Sequence, residues 1–140
     1  MRFSVIFVLT AMMMTAGASH AWAPWKGDSG PDKKKLDRMF RQAKGAYGSA
    51  DYATAIKHCD DVIKADPKYA EAYALRGKAK KDMGDVDAAN KDLNKAIELD
   101  QALGEAYFVR GQVHEIMGDM DKAQADYKKA CGAGFQDACK

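Results

Sequence analysis

The sequence predicts an all-α protein in which three helix-turn-helix repeats stack side by side. A period of 34 residues carries this prediction, because segments 36–69, 70–103 and 104–137 align with one another. Small residues recur at the eighth and twentieth positions of each segment, and a Gly-Asp or Ala-Asp pair marks its middle. Self-similarity at a fixed period of this length is typical of a solenoid, in which each repeat packs only on its neighbours.

Each segment predicts two helices, which we call helix A and helix B, joined by a tight turn. The first helix A is expected from Lys33 to about Gly48, with Asp32 as its N-cap. Gly84 and Gly118 suit the left-handed residue that ends a helix A. Aspartates that can cap each helix B follow at Asp51, Asp85 and Asp119.

The recurring small residues predict that the two helices of a repeat approach closely. Those on helix A are expected to face those on helix B, and a larger side chain would push the helices apart. These positions are Ala43, Gly77 and Gly111 on helix A, and Ala55, Ala89 and Ala123 on helix B. The remaining core space is assigned to Met39, Tyr73, Tyr107, Cys59, Leu93 and Tyr127.

A second regularity concerns charge. Arginine occupies the seventh position of the second and third repeats, at Arg76 and Arg110, and aspartate occupies the twenty-third, at Asp92 and Asp126. The first repeat has neither residue. Because the two residue types occur together, we expect an ion pair that joins the two helices of a repeat or bridges adjacent repeats. The alternative is that they are unrelated surface charges.

Residues 36–137 resemble the tetratricopeptide repeat (TPR) family in spacing and in residue type. The second repeat is a near-consensus unit, whereas the first is degenerate but keeps Ala55 and the Asp66-Pro67 pair. The resemblance implies a right-handed superhelical solenoid with a concave groove that binds a segment of a partner protein.

The last residues depart from the TPR pattern and resemble the repeats of secreted cysteine-rich solenoids, which place two cysteines eight positions apart. That resemblance implies a Cys131–Cys139 disulfide that staples a short C-terminal cap. The alternatives are a metal site or a redox pair, although structural zinc needs four ligands and only Cys59 and His114 could add to these two. Cys59 itself is interpreted as a small buried thiol in the core.

The N-terminal residues have the pattern of a secretory signal peptide, with Arg2 ahead of a charge-free apolar run. We expect a signal peptide at 1–21, a linker at 22–35 and the TPR domain at 36–140. Cleavage after Ala23 and an uncleaved anchor are the alternatives, but the apolar run is shorter than a membrane span. The prediction is a periplasmic or secreted protein without stable membrane insertion after cleavage.

The family register places the groove residues on helix A, at the second, fifth, ninth and twelfth positions of each repeat. Aromatic anchors beside charged residues suit an extended peptide or a helix from a protein partner. The asparagine and lysine pattern of TPR domains that clamp a C-terminal carboxylate is missing. The candidates are Asp37, Phe40, Lys44, Tyr47, Glu71, Ala74, Lys78, Lys81, Glu105, Phe108, Gln112 and Glu115.

Composition and motifs argue against several other functions. The formal net charge is only +2, which gives no electrostatic reason to expect nucleic acid binding. We find no catalytic triad order, phosphate-binding loop or metal motif, so no enzyme, metal or cofactor is predicted. The favoured hypothesis is an exported protein-interaction adaptor. The alternative is a self-associating scaffold, a homo-oligomer built by end-to-end stacking of repeats.

Overall fold

A computed structural model describes residue 30 and residues 32–140, and the predicted signal peptide and nearly all of the linker lie outside these residues. The described chain forms six α-helices and one terminal 3-10 helix, which confirms the predicted all-α class. The helices are α1 (Lys33–Gly48), α2 (Tyr52–Ala65), α3 (Ala70–Asp82), α4 (Val86–Leu99), α5 (Gly104–Ile116) and α6 (Met120–Gly132), and the 3-10 helix is Gln136–Ala138.

The helices pack as three successive pairs, α1 with α2, α3 with α4, and α5 with α6. Each helix B also packs on the helix A that follows it, and α3 contacts both α1 and α5. The first helices of the pairs therefore form an inner layer, and the second helices form an outer layer. The largest core cluster joins the second and third pairs and contains Ala74, Ala89, Leu93, Ala96, Ala106, Val109 and Val113.

The turns inside each pair have the predicted chemistry. Gly84 and Gly118 adopt positive φ angles of 88° and 81°, a conformation that glycine reaches at little cost. Asp51 caps α2 by accepting a hydrogen bond from the backbone N–H of Thr54 at 3.1 Å. Hydrogen bonds from the side chain and the backbone of Thr54 lower the pKa of Asp51. The helix N-caps therefore form where the sequence predicts them.

Close approach within a pair is clearest at Gly77. A Cβ atom added there would lie 2.9 Å from Cγ of Leu93 and 3.1 Å from the carbonyl oxygen of Ala89, so only glycine fits without a shift. A Cβ added at Gly111 would instead meet the ring of Tyr127 at 2.6 Å. The expectation that Ala123 lies opposite Gly111 is therefore incomplete, because the aromatic ring of Tyr127 covers the glycine.

The arginines and aspartates form the predicted pairs within a repeat. The guanidinium of Arg76 donates two hydrogen bonds to the carboxylate of Asp92, at 2.8 and 2.7 Å. It donates a third, at 2.7 Å, to Asp60 in the helix B of the preceding repeat. Asp92 is only 6% exposed, which rules out unrelated surface charges. Arg76 therefore joins three helices.

The third repeat contains the same arrangement. Arg110 donates two hydrogen bonds of 2.7 Å to Asp126 and a third, at 2.8 Å, to Asn94 of the preceding repeat. Asp126 is 3% exposed, and Nε2 of His114 lies 3.6 Å from its carboxylate. His114 therefore lies inside the packed pair, with its side chain only 12% exposed.

The C-terminal cap is held by the Cys131–Cys139 disulfide, whose Cα atoms lie 4.9 Å apart. This confirms the predicted pairing. Gly134 turns the chain with a φ of 87°, and Phe135 then packs over Gly104 at the start of α5. The cap therefore covers the last helix pair, where another repeat would otherwise pack.

Cys59 is fully buried and unpaired in the described structure, as expected of a core thiol. Burial raises the pKa of the Cys59 thiol to about 12. In residues 32–140, no group of three His, Cys, Asp or Glu side chains is placed to hold a metal ion. No helix in this part of the chain is long and apolar enough to cross a membrane.

Gly77 allows a test of close packing with an internal control. We expect Gly77→Ala to lower the free energy of unfolding by about 1–2 kcal/mol, because the added methyl group overpacks the α3–α4 contact. Gly45 lies in α1 with open space around its Cα, so Gly45→Ala should raise stability by about 0.5–1 kcal/mol. Urea unfolding followed by circular dichroism measures both. Equal effects at the two sites would contradict the packing argument.

The two aspartates bound to Arg76 differ in burial, so replacing each of them by alanine should lower the free energy of unfolding by different amounts. Asp92→Ala removes the main partner of the partly buried Arg76 guanidinium, whose side chain is 18% exposed, and should cost about 3 kcal/mol of unfolding free energy. The Asp60 side chain is 54% exposed, so Asp60→Ala should cost less than about 1 kcal/mol. Chemical denaturation of the two variants gives this comparison, and similar losses would show that burial does not set the strength of the pair.

The disulfide predicts a specific pattern of cysteine reactivity. The oxidised chain should be two hydrogen masses lighter than the reduced chain, and Cys59 should react with iodoacetamide only after unfolding, since it is buried. Replacing both Cys131 and Cys139 by serine should cost about 2–3 kcal/mol. Mass spectrometry before and after denaturation tests the pairing. Rapid labelling of Cys131 or Cys139 in the folded, unreduced protein would overturn it.

Candidate functional site

A groove of about 720 Å³ opens on the inner layer of the first two repeats. Helices α1 and α3 form its two walls, and one residue of α5 closes its far side. Seven of the residues that the family register assigned to the groove lie in it. They are Asp37, Phe40, Lys44, Tyr47, Glu71, Lys78 and Glu105.

The floor of the groove is aromatic and apolar. The rings of Phe40 and Tyr69 lie 5.2 Å apart in a tilted arrangement, and Leu75 adds an aliphatic surface beside them. Phe40 also packs against the two buried clusters that join the first repeat to the second. The core therefore holds this floor in place, which lowers the entropic cost of binding an apolar side chain.

Most charged residues of the groove occupy two positions of the repeat. Asp37, Glu71 and Glu105 occupy equivalent positions of the three repeats, and Lys44 and Lys78 lie seven residues after the first two. Seven residues are nearly two helical turns, so each lysine lies on the same helix face as its aspartate or glutamate, about 10 Å further along the axis. Within α1 and within α3, the acidic and basic positions are therefore about two turns apart, whereas the lysine of α3 reaches the glutamate of α5.

The two lysines differ in their contacts. Lys78 forms an ion pair of 2.8 Å with Glu105, and its ammonium lies 5.1 Å from the centre of the Tyr47 ring. Lys44 lies 5.2 Å from the centre of the Phe40 ring. Within residues 32–140, neither Lys44 nor Arg41 forms an ion pair with a carboxylate. The cations of α1 are therefore available to a bound molecule.

Two tyrosines add hydroxyl groups to the groove. Tyr47 donates a hydrogen bond to Asp82 at the end of α3, and burial together with this carboxylate raises the pKa of Tyr47. Tyr69 donates a long hydrogen bond of 3.5 Å to Asp37, and its pKa is raised mainly by burial. Both hydroxyls are therefore protonated donors at neutral pH.

Five of the groove candidates lie outside this cavity. Lys81 donates a hydrogen bond to Gln112 at 2.8 Å. Ala74 was expected to line the groove, but it is buried in the core between the second and third repeats. Its small side chain lets α3 and α5 approach and leaves nothing exposed. Burial and a hydrogen bond to Glu115 raise the pKa of Tyr127.

Phe108, the fifth of these candidates, lies in the C-terminal part of the domain. Its ring lies 5.6 Å from the ring of Tyr127 and 5.0 Å from that of Phe135. The cap therefore covers an aromatic side chain that occupies the position equivalent to Phe40 of the first repeat. This difference between the ends of the domain follows from the tail, which only the tertiary structure places.

Three residues of the groove were not among the candidates: Arg41, Tyr69 and Leu75. Arg41 and Leu75 occupy the sixth position of the first and second repeats, directly after the fifth position that was assigned to the groove. Including the residues next to that position would have identified them. Tyr69 ends the first segment and N-caps α3 through its backbone. An aromatic residue immediately before a helix A was the available signal.

Comparison with known proteins supports this architecture. The sequence model described as tetratricopeptide repeat matches residues 70–103 and 104–133. No curated protein matches the chain in sequence. Among solved structures, the first TPR domain of Spaghetti (RPAP3), bound to the HSP90 peptide SRMEEVD, is similar with a TM-score of 0.69 and 21% identity, over 75% of this chain and 83% of that one.

Two further solved structures extend the comparison at the level of fold. MamA has a TM-score of 0.67 and 28% identity over 76% of this chain, which spans 64% of MamA. The type III secretion translocator chaperone SycD of Yersinia enterocolitica has a TM-score of 0.67 and 18% identity, over 71% of this chain and 76% of SycD. Residues 70–133 are thus tetratricopeptide repeats, and the three helix pairs of the described chain have the tetratricopeptide-repeat fold.

Proposed function

We propose that the protein is an exported adaptor that binds a segment of a partner protein in the groove between α1 and α3. The observation that supports this most directly is the combination of a preformed aromatic floor with the cations of Arg41 and Lys44, which pair with no carboxylate of residues 32–140. Buried aromatic anchors flanked by charge are the usual basis of peptide recognition. The similar RPAP3 domain was solved with a bound peptide.

Binding is proposed rather than catalysis. His114 contacts a carboxylate that Arg110 already holds with two hydrogen bonds, so it stands in a packed network and not beside a nucleophile in the groove. The polar residues of the groove are acids, bases and tyrosines whose hydroxyls remain protonated. This set can orient a peptide through hydrogen bonds and ion pairs.

Export to the periplasm or to the exterior is also part of the proposal. The N-terminal pattern supports it, and so does the disulfide, because disulfides form and persist in oxidising compartments. In such a compartment the staple would keep the C-terminal cap closed over α5 and α6.

Self-association is the second candidate function. Four large apolar side chains at the turns between helices A and B are more than half exposed: Met83, Ile116, Met117 and Met120. Exposed apolar side chains that cluster at one edge are common at protein contacts. A second copy of the chain is the occupant that this candidate requires.

Site-specific crosslinking in the native host tests the proposal. A photoreactive phenylalanine analogue replaces Lys44 in the groove, and the control carries it at Lys57, an exposed position on α2. We expect the groove position to give a crosslink to one partner protein in the exported fraction, and the control position to give none. Mass spectrometry identifies the product and the mature N-terminus.

Other outcomes are equally informative. Equal crosslinks from both positions would contradict groove binding. A product of twice the chain mass from either position would support self-association instead. A crosslinked chain that keeps residues 1–21 and remains in the cytoplasmic fraction would contradict export.

A further inference from the structure

One face of α1 lines the groove, and the chain enters this helix beside that face. Asp37 near the start of α1 and Tyr47 near its end both lie in the groove. Asp32 caps the helix with its side chain, and residues 22–31 come directly before it in the sequence. The segment 22–31 is therefore tethered at the end of the groove where Asp37 lies.

This segment contains the only two tryptophans of the chain, Trp22 and Trp25. Both lie outside the described residues. Lys26 follows Trp25, and the run Asp-Ser-Gly-Pro at 28–31 comes next, in which every residue type favours a turn. Toward α1, the segment therefore carries an aromatic residue, a cation and a turn, in that order.

The groove has groups that match these two side chains. Arg41 and Lys44 are exposed and form no ion pair among residues 32–140, and cations attract the face of an aromatic ring, tryptophan most strongly. In the same part of the chain Asp37 has no cationic partner, and its carboxylate accepts only the long hydrogen bond from Tyr69. A tryptophan followed by a lysine complements both features.

The spacing in the segment agrees with the spacing along α1. A four-residue turn at 28–31 sends the chain back along the helix. An extended chain advances about 3.3 Å per residue, so Lys26 then lies about 7 Å and Trp25 about 10 Å beyond the turn. At about 1.5 Å per residue, Asp37 and Phe40 lie about 6 Å and about 10 Å from the start of α1.

We propose that segment 22–31 docks in the groove of its own chain. Trp25 rests on the aromatic floor formed by Phe40 and Tyr69, beside the cations of α1. Lys26 pairs with Asp37. The segment thus covers the surface that a partner would use, and the partner has to displace it. The docking itself requires no partner, and only this competition rests on the proposed function.

The tether favours the segment of the same chain over that of a second copy. A short linker holds a ligand at an effective concentration on the order of 1 mM, which a second copy reaches only in a millimolar solution. Contacts that are individually weak therefore suffice for docking within the chain. A partner that binds the groove more tightly can still displace the segment.

Tryptophan fluorescence tests the docking in protein purified from its native host, and Trp25 is retained with either predicted cleavage site. The variant Trp22→Phe leaves Trp25 as the sole tryptophan. We expect its emission at a shorter wavelength than in the same protein unfolded in urea, and protection from quenching by acrylamide, because the indole is packed in the groove.

Two charge variants provide a matched comparison in this background. Arg41→Glu/Lys44→Glu should weaken docking about tenfold, as the loss of two exposed cation–π contacts would give, so most of the wavelength shift should be lost. Lys57→Glu/Lys64→Glu makes the same change of charge at exposed positions of α2 and should keep the shift. Circular dichroism checks that both variants are folded.

Competition with a free peptide measures how far the segment occupies the groove. The probe is a fluorescein-labelled peptide of residues 22–31, and the acceptors are the parent chain and the variant Trp22→Ala/Trp25→Ala. With a dissociation constant of about 0.1 mM for the variant, an effective concentration of about 1 mM makes the parent bind about tenfold more weakly. Fluorescence anisotropy gives both constants.

Three results would overturn the inference. They are emission of Trp25 at the wavelength of the unfolded protein, equal binding of the peptide by the parent and the tryptophan variant, and equal loss of the shift in the two charge variants. A shift that disappears on dilution would assign the segment to the groove of a second copy and would overturn it as well.

The proposed function fails or stands separately. If Trp25 is docked and the photoreactive group at position 44 captures no partner protein, the inference stands and the adaptor function is contradicted. If a partner is captured and Trp25 is exposed to solvent in the free protein, the adaptor function stands and the inference is wrong.

Discussion

The buried contact between arginine and aspartate orders much of this molecule. Arg76 fastens α3 to α4 through Asp92 and to α2 through Asp60, and Arg110 does the same for the next repeat. A buried charge is tolerated only when it is paired and hydrogen-bonded. The guanidinium therefore fixes how α3 and α5 are rotated against the helices B beside them, and the rotation of α3 determines which of its faces reaches the groove.

The glycine next to the arginine allows the helices to approach closely enough for this contact. Gly77 follows Arg76 and lets the backbone of α3 approach α4 to within van der Waals distance, which brings the arginine within reach of the buried carboxylate. The first repeat lacks the arginine and the aspartate and has Gln42 and His58 instead. Its helices are joined through apolar contacts of Leu36, Ala43, Cys59 and Val62 with the second repeat.

The two ends of the described domain differ in how far their aromatic side chains are covered. At the C-terminal end, the disulfide holds Phe135 against Phe108, so the aromatic side chain of the third repeat is covered by the chain itself. At the N-terminal end, the equivalent Phe40 remains in the groove. One repeat array thus provides both a closed end, which contributes stability, and an open site suited to a ligand.

Much of the fold was determined by the sequence alone. The 34-residue period, the aspartate caps and the turn glycines are local signals, and local hydrogen bonds and backbone conformations act over a few residues, so the six helices and their order could be predicted. The co-occurrence of arginine and aspartate likewise predicted a contact. Tertiary structure decided which candidate residues share one groove, because this depends on side chains from separate helices. In the folded protein Ala74 is buried, Phe108 is covered by the tail, and Tyr69 lies in the floor of the groove. These placements depend on packing between repeats and on the path of the tail, which the sequence of a single repeat does not specify.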